Sequence, residues 1–199
     1  MANNTRIPKA EITGVYGAIV KRFAKMMLGG VPSPLGVYWN NPRVLKGYFA
    51  ISSKGRSWDA CDLDLKTYAH MAVASLVGCT WCLDFGYFQA YNENLDLDKA
   101  RQIPRWREFD VFTPLERDVL EYAEAMTHTP PTVTDDMSAR LLDQLGVAAL
   151  VELTAFISLA NFYTRSNVAF GISSDGFAEA CDLEPLAEPT TRAGVASRA

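Results

Sequence analysis

The sequence predicts an all-α helical bundle, and three observations carry that expectation. Apolar residues recur at helical intervals through most of the chain. Pro, Gly and Ser/Thr/Asp signals punctuate those runs where helices would start and stop. No stretch alternates apolar and polar residues as a half-buried strand does. At 199 residues and 49% hydrophobic content, the chain is long enough to bury one sizeable core. One helical domain is expected over residues 1–182, with a flexible C-terminal tail over 183–199, where Pro, Thr, Ala and Ser take over.

The first helix is read over residues 9–28, with Ile12, Val15, Tyr16, Ile19, Val20 and Phe23 at helical spacing. Gly29-Gly30 stops it, and Pro32 and Pro34 mark a turn. Pro42 opens a second helix carrying Val44, Leu45, Tyr48 and Phe49. A third runs from Leu63 to Val77, with Leu65, Tyr68, Ala69, Ala72, Val73 and Leu76 as its stripe. After only Gly78 comes another helix, and a short one is read from Asp96. Thr113-Pro114-Leu115-Glu116 is a capping box with Pro at the first helical position. Thr134 caps the next helix, which stops at Gly146. The last, Val147 to Phe170, would span on the order of 35 Å. Its apolar residues cover most of its circumference, so burial on nearly all sides, in the core or against a second subunit, is expected.

Charge narrows the function classes. Lys+Arg 19 against Asp+Glu 23 gives a net −4 with no basic block, which argues against a nucleic-acid surface or an anionic-membrane anchor. Met1 to Arg6 lacks the apolar stretch of a signal peptide, and no uncharged run reaches transmembrane length. A cytoplasmic protein is expected.

The chemistry concentrates at Cys79-Thr80-Trp81-Cys82. Two cysteines three apart share one face of a helical turn, close enough to interconvert between dithiol and disulfide. A thiol at a helix N-terminus sees unpaired N–H groups that favour the thiolate. Such a dithiol can reduce a peroxide and close a disulfide behind it. Two other readings stand beside this one. Both cysteines could be small buried core residues. A zinc site would need four ligands, and this pair with two distant histidines supplies half of one, so no metal is expected. Cys61 and Cys181 pair with nothing at a diagnostic spacing. Asp84 projects to another side of the helix and reads as structural. Trp81 and Tyr87 read as pocket wall or core.

Several segments together resemble the carboxymuconolactone decarboxylase family, in its alkylhydroperoxidase D-like branch. They are Asn41 to Leu45, Leu63 to Cys82, Phe112 to Arg117, Leu150 to Leu153 and Ala160 to Arg165, a resemblance over roughly residues 40–172. It implies a helical bundle that assembles into homo-oligomers. The implied activity is a thiol-dependent peroxidase or disulfide oxidoreductase, without a cofactor, acting on a hydroperoxide. A protein or small-thiol reductant would restore the dithiol. The resemblance assigns the attack to Cys82 and disulfide closure to Cys79.

Two positions depart from the family pattern. Thr67 stands where the family commonly has Glu, and Gly86 where it commonly has His. His70, one turn after Thr67, is the candidate substitute, as a base or as an imidazolium holding the thiolate. A plain hydrogen bond inside the bundle is its other reading. Thr67, Trp81 and Tyr87 complete the expected substrate pocket. Restoring the pattern with Thr67→Glu and Gly86→His is expected to raise turnover. His128 reads as a loop residue. The competing classes are a cofactor-free lyase of the decarboxylase type and a non-catalytic oligomeric helical protein that lost the relay.

Overall fold

A computed structural model describes residues 5–188. Among these residues there is no strand. The helices are α1 (Gly14–Leu28), α2 (Ser33–Tyr38), α3 (Pro42–Arg56), α4 (Leu63–Val77), α5 (Thr80–Asn92) and α6 (Leu97–Gln102), then a 3-10 helix (Ile103–Glu108) and α7 (Pro114–Thr127), α8 (Asp135–Phe170) and α9 (Phe177–Ala180).

Helix α4 is the hub, packing against α5, α7, α8 and the 3-10 helix. Nine of its residues, from Leu65 to Ala74, are buried, so it is apolar around most of its circumference rather than along one stripe. Ala69, Ala72 and Ala74 keep its surface small enough for three helices to approach. One charge is carried inside. Lys66 Nζ donates to Glu152 Oε1 of α8 at 2.6 Å and to the Trp58 carbonyl at 2.7 Å, and Glu152 Oε2 accepts the Ala60 N–H at 2.7 Å. Burial alone would raise the Glu152 carboxyl, but these donors hold it below its ordinary value.

Helix α7 opens with the capping box read from the sequence. Glu116 N–H donates to Thr113 Oγ1 at 3.2 Å, and Thr113 N–H donates back to Glu116 Oε2 at 2.6 Å. Thr134 caps α8 as expected. At Gly146 (φ 77°, ψ 170°) the backbone leaves helical geometry, so the expected stop is a kink within one long helix. Helix α8 is long and apolar enough to cross a membrane by length and composition. Its face toward α4 and α7 buries Leu153, Ile157 and Ala160.

A second, smaller cluster (Ile12, Ala24, Leu35, Tyr38 and Leu45) joins α1, α2 and α3 to the end of α8. Arg6 ties this layer down by donating from Nη1 to the Val168 and Ala169 carbonyls at 2.7 and 2.9 Å, in the last turn of α8.

Three expectations are corrected and one is narrowed. The first helix starts at Gly14, not Lys9, because Ala10 N–H is taken by the Gly36 carbonyl at 3.0 Å and holds the preceding residues extended. Pro32 and Pro34 do not mark a simple turn. Ser33 to Tyr38 form a buried helix, with Pro34 tolerated in its first turn. Residues 147–170 are not covered on nearly all sides by the core of this chain, since Val147 and Val151 are 69% and 64% exposed, which leaves cover by a second subunit, the other expectation. The tail does not begin at 183: Leu183 and Leu186 pack on the main core, and Ala187 N–H donates to the Arg101 carbonyl at 2.9 Å. Residues 189–199 of the expected tail lie outside the described residues.

Lys66→Met would leave Glu152 charged, buried and without its ammonium, at a cost of about 3–5 kcal/mol. Thermal unfolding followed by circular dichroism should show that loss, and Lys66→Met with Glu152→Leu should recover most of it.

Candidate active site

The site is built at the corner between α4 and α5. Gly78 takes the left-handed conformation (φ 79°), which only glycine adopts cheaply. The N–H groups of Gly78 and Cys79 both donate to the Ala74 carbonyl, at 3.0 and 2.9 Å, and close α4. Cys79 is then the N-cap of α5, and its sulfur accepts the Cys82 N–H at 3.2 Å. Cys82 falls in the first helical turn, where unpaired N–H groups favour negative charge. The two are joined as a disulfide with Cα atoms 5.3 Å apart, and each is 1% exposed.

Cys82 lines a cavity of about 230 Å³, and Cys79 does not. The cavity lies where the two apolar clusters meet. Its walls are largely apolar, with aromatic rings from Tyr48 and Phe49 of α3, Trp81 and Phe85 of α5, and Phe156 and Tyr163 of α8. Polar atoms are few: Ser52, Arg56, His70 and Gln89 stand among them, and Ser52 Oγ donates to the Tyr163 hydroxyl at 2.9 Å. Trp81 stacks on Phe85, and its indole N–H donates to Asp175 Oδ2 at 2.7 Å. The Ser33 N–H donates to that same oxygen at 2.7 Å, so Asp175 fastens the N-terminal layer to this wall.

His70 shares the cavity with Cys82. Burial lowers its pKa from the ordinary 6.5 to about 4, so the ring is neutral at pH 7. With the cysteines joined as a disulfide, burial opposes the expected imidazolium, because desolvation disfavours the charged form. The structure also explains the missing histidine at Gly86. A Cβ there would meet Met71 Cγ at 2.7 Å and His70 Nδ1 at 3.7 Å. The fully buried Met71 and the His70 ring already fill that space, so Gly86→His cannot restore the family pattern without displacing the core.

Two expected pocket residues lie elsewhere. Thr67 is buried and donates from Oγ1 to Glu93 Oε2 at 3.4 Å, outside the cavity lining. Glu93 is raised by burial, although the Thr67 bond opposes this. Tyr87 sits in the main core, about 140° around α5 from Cys82. Asp84 is structural, as read. Its carboxylate accepts the N–H groups of Gly176, Phe177 and Ala178 at 3.1, 2.9 and 2.8 Å and caps α9. His128 caps the end of α7.

Sequence reasoning missed Asn167. It is fully buried on α8, and its Nδ2 donates to Cys82 Sγ at 3.4 Å. The two residues are 85 positions apart, and no spacing signal links them.

Residues 42–125 match the family model for the carboxymuconolactone decarboxylase family. Over that segment, the chain is similar to this family. The Escherichia coli (strain K12) uncharacterized protein YnjA is 38% identical over 104 residues, 52% of this chain and 57% of its own length. The chain thus spans less than two thirds of that relative. The debrominase Bmp8, solved with 2,3,4-tribromopyrrole, matches with a TM-score of 0.76 at 19% identity, over 89% of this chain and 95% of that one. An uncharacterized peroxidase-related protein from Ralstonia eutropha JMP134, described as an alkylhydroperoxidase AhpD core, matches with a TM-score of 0.64 at 15% identity, over 86% and 94%. These solved structures establish the AhpD-like all-helical fold.

Between pH 6.5 and about 4 the unfolded chain binds a proton at His70 that the folded chain refuses, so stability should fall as pH drops through that window and be level above it. Urea midpoints from pH 7.5 to 4.5 should trace this fall, and His70→Gln should reduce its slope.

Proposed function

We propose that this chain is a thiol-dependent peroxidase that reduces organic hydroperoxides through Cys79 and Cys82. The observation that carries the reading is the asymmetry of the pair: Cys82 opens onto the cavity, while Cys79 stands behind it as the N-cap. The Cys82 thiolate attacks the terminal peroxide oxygen, the O–O bond breaks, and the alkoxide leaves as an alcohol after taking a proton. The Cys79 thiol then attacks the Cys82 sulfenic acid, expelling water and forming the disulfide. A protein or small-thiol reductant in a reducing cytoplasm restores the dithiol. Neutral His70 accepts the hydroperoxide O–H and orients it, a role that needs no imidazolium. Trp81 serves as a wall. The aromatic lining suits a substrate with a ring or a bulky apolar group better than hydrogen peroxide.

A second reading has a specific observation behind it. Aromatic walls beside a dithiol also suit reductive removal of a halogen from a ring, in which an aryl bromide and two thiols give the arene, a disulfide and hydrogen bromide. The fold likeness to the debrominase supports testing it.

The reduced protein should lose two thiols per cumene hydroperoxide, about tenfold faster or more than with hydrogen peroxide. Cys82→Ser should be inert, and Cys79→Ser should stop at a sulfenic acid that dimedone traps. No thiol loss with either peroxide overturns the reading, and bromide release from 2,3,4-tribromopyrrole would favour the second.

We also infer a homo-oligomer. Val15, Ile19, Phe23 and Met26 form an exposed apolar stripe on α1, and Val147 and Val151 another patch on α8. Sedimentation at micromolar concentration should show an assembly, and a lone 22.0 kDa species would contradict it.

A further inference from the structure

We propose that Asn167 is a catalytic residue of this site, whose side-chain amide stabilises the Cys82 thiolate by a hydrogen bond to its sulfur. The proposal rests on the reading of Cys82 as the reacting thiol. Two independent observations support it. Asn167 Nδ2 donates to Cys82 Sγ at 3.4 Å, and Asn167 Oδ1 is buried with no hydrogen-bond partner among the described residues. A fully buried amide with one group orphaned costs stability, and a side chain kept only for packing would be replaced at less cost by Leu. The contrast lies on the same helix. Asn161 donates to Thr127 Oγ1 and the Ile157 carbonyl, and its Oδ1 accepts from Arg165 Nε, so all its polar atoms serve structure. The Asn167 side chain has only the sulfur.

The amide orientation follows from chemistry. Reversed, it would set a carbonyl oxygen against the sulfur lone pairs. A disulfide sulfur is a weak acceptor and a thiolate a strong one, so the bond strengthens on reduction. Asn167 therefore lowers the Cys82 thiol pKa and shifts the dithiol–disulfide equilibrium toward the dithiol.

Among the described residues, no charged side chain donates a hydrogen bond to the sulfur. From α4 comes His70, which is neutral at pH 7. On α5 itself, Asp84 is turned toward the α9 amides. The loop before α9 supplies Asp175, which is bonded to Trp81 and Ser33. Arg56 of α3 and Tyr163 of α8 line the cavity. The first turn of α5 favours the thiolate as well, and Asn167 is the one side chain that donates to the sulfur among the described residues.

The test reads the thiol without peroxide, so it is separable from failure of the peroxidase reading. In the reduced protein, the pH profile of Cys82 alkylation by iodoacetamide, followed by peptide mapping, gives its pKa. Asn167→Leu should raise that pKa by about one unit, slowing alkylation about tenfold at neutral pH. Equilibrium with glutathione should move several-fold toward the disulfide, with helical circular dichroism unchanged. Asn167→Asp, which keeps the shape and sets a carboxylate by the sulfur, should raise the pKa further. A Leu profile superposed on wild type overturns the proposal. If neither variant folds, the wild-type Asn167 side-chain amide resonance decides. It should titrate with Cys82 and stop doing so after alkylation, and a resonance indifferent to both overturns the proposal.

Discussion

At Gly78 the chain leaves α4 in the left-handed conformation and starts α5 one residue later, and the rest of the site follows from that geometry. With one residue of connection, Cys79 must be the cap and Cys82 must stand in the first turn. The same corner turns α5 back along α4, which brings Gly86 against Met71 and His70 and leaves Cys82 looking into the gap between the two apolar clusters. The site is thus a by-product of a helix junction held by backbone hydrogen bonds, and it needs no loop to shape it.

Burial decides the electrostatics there. The cavity is mostly apolar, so it penalises charge, and His70 is driven neutral. A thiolate in such a place gains from fixed dipoles, which cost no desolvation when the charge forms. Two are in contact with the Cys82 region, the N-terminal turn of α5 and the Asn167 amide. Two buried carboxylates elsewhere are held by their own partners. Lys66 with Glu152 stitches α4 to α8, and Asp84 caps α9.

Much of this was legible from local signals. The Leu63–Val77 helix, the Thr113 capping box, the Thr134 cap, the break at Gly146 and the cysteine corner depend on residues a few positions apart, and the sequence displays such contacts directly. What was hidden is what only packing creates. Helix α2 was hidden because Pro32 and Pro34 read as a turn, although the first is the N-cap and the second sits in the first turn, where a helix tolerates it. Thr67 and Tyr87 fell on the wrong side because the face each helix shows the cavity depends on three partners at once. The choice between base and imidazolium at His70 stayed open because a sequence does not reveal solvent access. Asn167 was invisible for the simplest reason, that a single amide 85 positions away leaves no pattern.

The walls of the cavity and the thiols it serves come from different stretches of chain. The cysteine corner and α3 fall within residues 42–125, whereas Leu28, Leu35 and Tyr38 on one side, and Phe156, Leu159 and Tyr163 on the other, lie outside that segment. The cysteine corner and much of the cavity wall are thus carried by different segments of chain. A change in the flanking helices would redraw the shape of the chamber without disturbing the corner that sets the sulfur. Two proteins alike through the shared segment can for that reason accept quite different molecules, and kinship measured there says little about diet.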